Sequence, residues 1–131
     1  MSKSSDAMRT PLSKVRRLGA AGAGTRDFWN QRVTAIALAI LTPPVIIILM
    51  ALFGRGHAAA VQILALPLVA IILILFVVAT VWHMKLGIQI VLEDYVHGEK
   101  IKLAAIIANN FFAAAVAFAS LYALLKMSSG V

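Results

Sequence analysis

Three long apolar stretches constrain the fold of this chain more than any other feature of its sequence. They extend approximately over residues 33–53, 67–92 and 104–125. At about 1.5 Å of rise per residue, a helix over any of them covers a hydrocarbon core of about 30 Å. The chain is also far more apolar than a soluble domain, with 62% hydrophobic residues, only 13% charged residues and a mean hydropathy of +0.95. The sequence therefore predicts an all-α integral membrane protein, a bundle of three transmembrane helices within residues 28–131.

The distribution of basic residues predicts the orientation of these helices. Residues 1–32 carry seven Lys and Arg against two Asp, and the loop before the third stretch is also basic. The first loop has only Arg55, and the C-terminus only Lys126. By the positive-inside rule, the N-terminus lies inside and the C-terminus outside. Residues 1–27, which are rich in Ser and Gly, are predicted to form a basic, flexible cytoplasmic tail.

Prolines divide the apolar part of the chain. Pro43 and Pro44 fall in the middle of the first stretch, where each removes a backbone hydrogen bond and predicts a kink. The Thr42 hydroxyl or a neighbouring helix is expected to satisfy the freed carbonyls. Because residues 58–92 are too long for one simple span, residues 58–66 are predicted to form a surface segment, with Pro67 in the first turn of the second helix.

Composition also limits the chemistry that this chain performs by itself. With 131 residues, it has no room for a separate catalytic domain beside three spans, so any such domain belongs to a partner. It has no cysteine, which excludes iron–sulfur ligation and covalent haem attachment and leaves histidine as the strong metal ligand. The net charge of +7 lies largely in the membrane flanks, so no nucleic-acid partner is predicted.

The end of the second apolar stretch carries the candidate functional residues. In a helix, the 100° step per residue places four of its side chains within about 40° of one line. They are His83, Gly87, Ile90 and Asp94. Helix rise separates His83, at membrane depth, from Asp94, near the water boundary, by roughly 16 Å. One face therefore carries an imidazole, a gap and a carboxylate.

Two short patterns in the sequence resemble those of a known family. The pattern H-x3-G-x6-D-Y comprises His83, Gly87, Asp94 and Tyr95, and R-x-T-A-I begins at Arg32. Their placement in the second and first of three helices resembles the smaller hydrophobic membrane anchor of succinate dehydrogenase. The resemblance covers the chain from about residue 26 to 125, including the helix count and the loop lengths.

The resemblance implies a role for each of these residues. His83 would be one axial ligand of a b-type haem, with Gly87 part of the same cofactor-binding motif and Arg32 facing a haem propionate. Tyr95 would hydrogen-bond a carbonyl of ubiquinone, and Asp94 would support that quinone site. One departure from the family is an arginine at position 26, where a histidine often precedes Asp-Phe.

The resemblance also implies partners. A second cytochrome b-type anchor would supply the other haem histidine, and an iron–sulfur subunit and a flavoprotein subunit would dock on the inner face. Electrons would pass from succinate to quinone through the complex, although this chain would not itself oxidise succinate. The expected location is the bacterial cytoplasmic membrane, with the mitochondrial inner membrane as the alternative.

The chemistry of the residues agrees with these roles, but each has a simpler interpretation. Neutral imidazole is a good ligand for haem iron, and a polar side chain at membrane depth is costly without a function. Yet without the motif a histidine such as His83 is more often a packing or hydrogen-bonding residue. Tyr95 and Asp94 are typical of a membrane interface, and Arg32 is a positive-inside determinant. A small pore-forming or holin-like protein is the alternative function, which a visible absorption spectrum would distinguish.

Overall fold

The computed structural model describes residues 23–129, and these form four α-helices joined by short connections. They are α1 (Ala23–Leu52), α2 (His57–Leu64), α3 (Pro67–Tyr95) and α4 (Glu99–Ser128). By length and composition, α1, α3 and α4 are each able to cross a membrane. The prediction of an all-α protein with three spans is therefore confirmed for the described part of the chain.

The long helices extend beyond the apolar stretches that revealed them. The first helix begins at Ala23 rather than near Val33, and so includes the last five residues of the predicted tail. The other residues of that tail, 1–22, lie outside the described residues. The other two reach Tyr95 and Glu99 in the polar loop. Backbone hydrogen bonding continues through polar residues at the water boundary, so hydropathy marks the thickness of the bilayer and not the ends of a helix.

The predicted surface segment is a short helix. A turn with Gly54 in the left-handed region, at φ +72°, ends the first span and leads into α2. Helix α2 packs against α3 and α4 and buries Leu64. Pro67 then lies in the first turn of α3, as predicted, where its missing N–H has no partner to lose.

Helix α1 continues through Pro43 and Pro44. Neither proline can donate to the carbonyl four residues before it. The Thr42 hydroxyl donates to the carbonyl of Leu38 at 2.6 Å, which is not one of the two freed carbonyls. The Thr42 alternative is therefore wrong, since its one hydroxyl hydrogen is donated to the Leu38 carbonyl, and a neighbouring helix is left as the other expected partner.

Helix α3 is the centre of the bundle, because α1 and α4 each pack mainly against it. Its two sides differ. Toward α4, the buried Asn109 donates its Nδ2 to the backbone carbonyl of Lys85 at 2.9 Å, an interhelical hydrogen bond of the kind expected for an asparagine in a span. Toward α1, the half-buried His83 is the central polar residue.

Candidate functional site

His83 lies between α3 and α1, with each ring nitrogen near a polar group of α1. Its Nδ1 is 3.0 Å from the Thr34 hydroxyl, and its Nε2 is 3.4 Å from the side-chain nitrogen of Gln31. Thr34 also lies 2.7 Å from the carbonyl of Asn30 and 3.1 Å from that of Gln31, both on its own helix. The histidine is therefore held at the α1–α3 interface by helix-borne polar groups.

A cavity of about 470 Å³ opens beside this histidine, between the beginning of α1 and the end of α3. Its wall is formed by Gly24, Asp27, Phe28, Gln31, Arg32, Ala35, His83, Ile90 and Glu93. The cavity thus joins two residues predicted to act together, His83 and Arg32. It is large enough for part of a cofactor and open on the side that no described element covers.

Arg32 stands at the outer wall of this cavity. Its guanidinium lies 4.5 Å above the centre of the Phe28 ring, and its side chain is exposed. A cation over an aromatic face is stabilised by the ring quadrupole, which holds Arg32 in place without neutralising its charge. The guanidinium therefore remains able to bind an anionic group.

Gly87 lies one helical turn after His83 and faces Gln31. A Cβ atom built at Gly87 would come 3.7 Å from the Gln31 side-chain nitrogen, which is an ordinary contact distance. Within the described chain an alanine would therefore fit at this position.

Asp94 and Tyr95 lie at the C-terminal end of α3, outside this cavity. Both side chains are exposed, Tyr95 to 77%, and the α3 carboxylate that borders the cavity is that of Glu93. Glu93 itself accepts a hydrogen bond of 2.8 Å from Gln89. The structure thus brings His83 and Arg32 together at one cavity, with Gly87 one helical turn after His83. It places Asp94 and Tyr95 about 16 to 18 Å of helix rise away from His83.

Four polar residues of the site were not given a role by the sequence patterns. Gln31, Asp27 and Glu93 line the cavity, and Thr34, although part of the R-x-T-A-I pattern, had no function assigned. A signal was present on α1, because positions 27, 31 and 34 recur with the spacing of one helix face. Among the described residues no group of three or more His, Asp and Glu side chains could hold a metal ion, and His83 is the one imidazole that they contribute to the cavity wall.

These features define a class of protein, namely a small multi-pass helical membrane protein that presents one histidine and one arginine to an uncovered cavity. The family model of the succinate dehydrogenase/fumarate reductase transmembrane subunit matches residues 6–118. No solved structure matches the chain.

Curated relatives narrow the class further. The succinate dehydrogenase hydrophobic membrane anchor subunit of Paracoccus denitrificans is 36% identical over 121 residues, which cover 92% of this chain and 93% of the relative. The subunit with the same name from Rickettsia bellii is 29% identical over 104 residues, covering 79% and 83%. The succinate dehydrogenase membrane anchor subunit of Reclinomonas americana is 30% identical over 91 residues, covering 64% and 72%.

The chain therefore belongs to the succinate dehydrogenase/fumarate reductase transmembrane subunit family, as a membrane anchor subunit of succinate dehydrogenase. This confirms the resemblance carried by the two short patterns and favours the anchor role over the pore-forming alternative.

Proposed function

We propose that this chain anchors the flavoprotein and iron–sulfur subunits of succinate dehydrogenase to the bacterial cytoplasmic membrane, together with a second anchor subunit. Its membership in the anchor family, its three spans and the bacterial origin of its Paracoccus and Rickettsia relatives support this proposal. The basic flanks favour an inner N-terminus, so the partners dock at the end of the bundle where α1 begins and α3 ends.

We further propose that His83 provides one axial ligand of a b-type haem, whose second ligand comes from the other anchor. The observation that carries this proposal is that His83 and Arg32 line the same cavity. His83 offers an imidazole, and Arg32 offers a guanidinium that is held over the Phe28 ring and keeps its charge. A haem has the same two requirements, a donor for its iron and a cation for its propionates.

The donor groups of the cavity fit this cofactor. The side-chain oxygen of Gln31, next to the His83 ring, is buried and has no hydrogen-bond partner among the described residues, so the polar groups here are incompletely satisfied without a further component. Of the described residues, Arg32 is the only Lys or Arg in the cavity wall, which also contains the carboxylates of Asp27 and Glu93. An anionic propionate is therefore directed to Arg32 and away from the two acids.

His83 and Arg32 then have separate tasks. His83 holds the cofactor at membrane depth between α1 and α3, while Arg32 orients it from the wall near the helix start. When bound, the haem supplies a group that accepts and releases a single electron.

The quinone site is proposed at the end of α3, where Tyr95 would donate its hydroxyl hydrogen to a carbonyl of ubiquinone. Reduction of a quinone takes up two protons with two electrons, so the site belongs near water, and Tyr95 and Asp94 are both exposed at the polar end of α3. The Asp94 carboxylate would orient that hydroxyl or pass a proton to it.

Expression of this chain without its partners should yield no stable six-coordinate b-type haem. One half-buried imidazole cannot provide both axial ligands. The other two histidines are exposed, because His57 begins α2 and His97 follows the end of α3. Absorption spectra of the purified chain, with and without a co-expressed second anchor, test this. A stable low-spin haem in the single chain would contradict the shared-ligand proposal.

Replacing Arg32 with glutamine should weaken retention of the haem about tenfold, because a charge-assisted hydrogen bond contributes roughly 1.5–3 kcal/mol. Arg26→Gln is the matched control, since Arg26 is on the same helix and exposed but is not part of the cavity wall. Haem content per assembled complex after detergent washing gives the comparison. Equal losses in the two variants would reduce Arg32 to a general positive-inside residue.

A further inference from the structure

We infer that Thr34 is a positioning residue for His83, which fixes the tautomer and the orientation of the imidazole so that Nε2 is the nitrogen offered to iron. This inference rests on the proposed role of His83 as a haem ligand. It adds a residue of α1 to the function of a histidine on α3.

The hydrogen bonds around Thr34 determine which ring nitrogen carries the proton. A threonine hydroxyl has one hydrogen to donate, and its shortest acceptor is the carbonyl of Asn30 at 2.7 Å. With that hydrogen committed within α1, the hydroxyl oxygen meets His83 Nδ1 at 3.0 Å as an acceptor. His83 therefore donates from Nδ1–H, and in the neutral ring Nε2 keeps its lone pair.

The contact on the other side of the ring is consistent with this tautomer. The Gln31 side-chain nitrogen donates hydrogen bonds and does not accept them. It lies 3.4 Å from Nε2, so the Nε2 atom that it faces carries a lone pair in this arrangement. This distance is longer than that of an ordinary N–H hydrogen bond, so the amide holds Nε2 only weakly. The strong contact of the ring is therefore the one between Nδ1 and Thr34. The weak contact is the one between Nε2 and Gln31, which lines the cavity together with His83.

Thr34 is well suited to hold the ring because it is itself fixed. Its β-branched side chain has few rotamers in a helix, and its bond to the Asn30 carbonyl selects among them. Ligating histidines commonly donate their second N–H to an acceptor, which sets the ring plane and raises the basicity of the ligating nitrogen. Thr34 supplies such an acceptor from a different helix, so the site depends on the correct packing of α1 on α3.

The test compares Thr34→Val with Thr34→Ser in the complete complex. Valine keeps the branched shape and removes the acceptor, whereas serine keeps the hydroxyl. Thr42→Val is the matched control, because Thr42 makes the same type of bond within α1, to Leu38 at 2.6 Å, about two helical turns after Thr34. It reports the effect of losing a helix-internal hydroxyl bond alone.

Three readouts follow the haem rather than turnover. They are the rate of haem transfer to an excess of a soluble haem-binding apoprotein, the haem midpoint potential, and the electron paramagnetic resonance g-values of the oxidised haem. We expect about tenfold faster haem loss in Thr34→Val, since loss of such an outer partner typically weakens metal binding 10- to 100-fold. We also expect a higher midpoint potential and shifted g-values, because a less basic imidazole stabilises the ferric state less. Thr34→Ser and Thr42→Val should match the wild type.

The outcomes separate this inference from the proposed function. If Thr34→Val keeps the haem-loss rate, the midpoint potential and the g-values of the wild type, the role of Thr34 is overturned. The ligand proposal still holds in that case if a His83 variant loses the low-spin haem. A low-spin haem that survives replacement of His83 would overturn both. If the valine variant fails to assemble, Thr34→Ala also lacks the hydroxyl in a smaller side chain, and the same shifts are required of it.

Discussion

Replacing His83 with alanine should abolish the low-spin haem spectrum of the assembled complex, while succinate oxidation with a soluble electron acceptor remains near the wild-type rate. His83 is the only histidine among the described residues that lies half-buried between two spans, so no other histidine of this part of the chain can take over ligation. Under the proposed function, dicarboxylate chemistry belongs to a partner subunit docked at the membrane surface. The measurements are the reduced-minus-oxidised absorption spectrum and dye-linked activity in the same membranes.

The matched control for this experiment is His97→Ala. His97 follows the end of α3 and is exposed, so its loss removes an imidazole without touching the α1–α3 interface. The control should keep the wild-type spectrum. An unchanged low-spin spectrum in His83→Ala would show that the iron is held elsewhere, and the histidine would then be a packing residue bonded to Thr34.

Replacing Tyr95 with phenylalanine should lower quinone-linked turnover about tenfold or more, with haem content unchanged. The substitution keeps the ring and removes only the hydroxyl. A hydrogen bond that strengthens as charge develops on the quinone oxygen lowers the activation free energy by on the order of 1 kcal/mol or more. Twelve residues of helix place Tyr95 roughly 18 Å from His83, so the haem should not respond. Quinone-linked and dye-linked rates measured side by side give the result.

Tyr122→Phe is the control for this second experiment. Tyr122 lies on α4 and is also largely exposed, at 68% against 77% for Tyr95, so it reports the general effect of losing an interfacial tyrosine hydroxyl. Equal quinone activities in Tyr95→Phe and the wild type would make Tyr95 an interfacial anchor only. A parallel fall in the quinone and dye assays would instead indicate that the catalytic subunits no longer dock.

Much of the site could be predicted from sequence because its residues are chemically unusual for their surroundings. A histidine within an apolar stretch is conspicuous, and so is an arginine at the start of a span, and the structure places His83 and Arg32 in the wall of one cavity. Asp94 was expected on the same face as His83 from the helix period, yet Glu93 borders the cavity. Packed helices cross at an angle, so their line of contact departs from a line of side chains drawn along one straight helix.

The sequence by itself determined the number of spans and the all-α class, because hydropathy adds up over a window of residues whatever their neighbours in space. It determined the family through two short patterns of residues, which begin at His83 and Arg32. Only the tertiary structure decided which helix faces meet. Helices that are apolar on all sides carry almost no pattern that distinguishes the buried side from the lipid side, so the sequence cannot pair α3 with α1 and α4. The contacts of His83 with Thr34 and Gln31 join residues 49 and 52 positions apart, and they exist only because α1 packs on that side of α3.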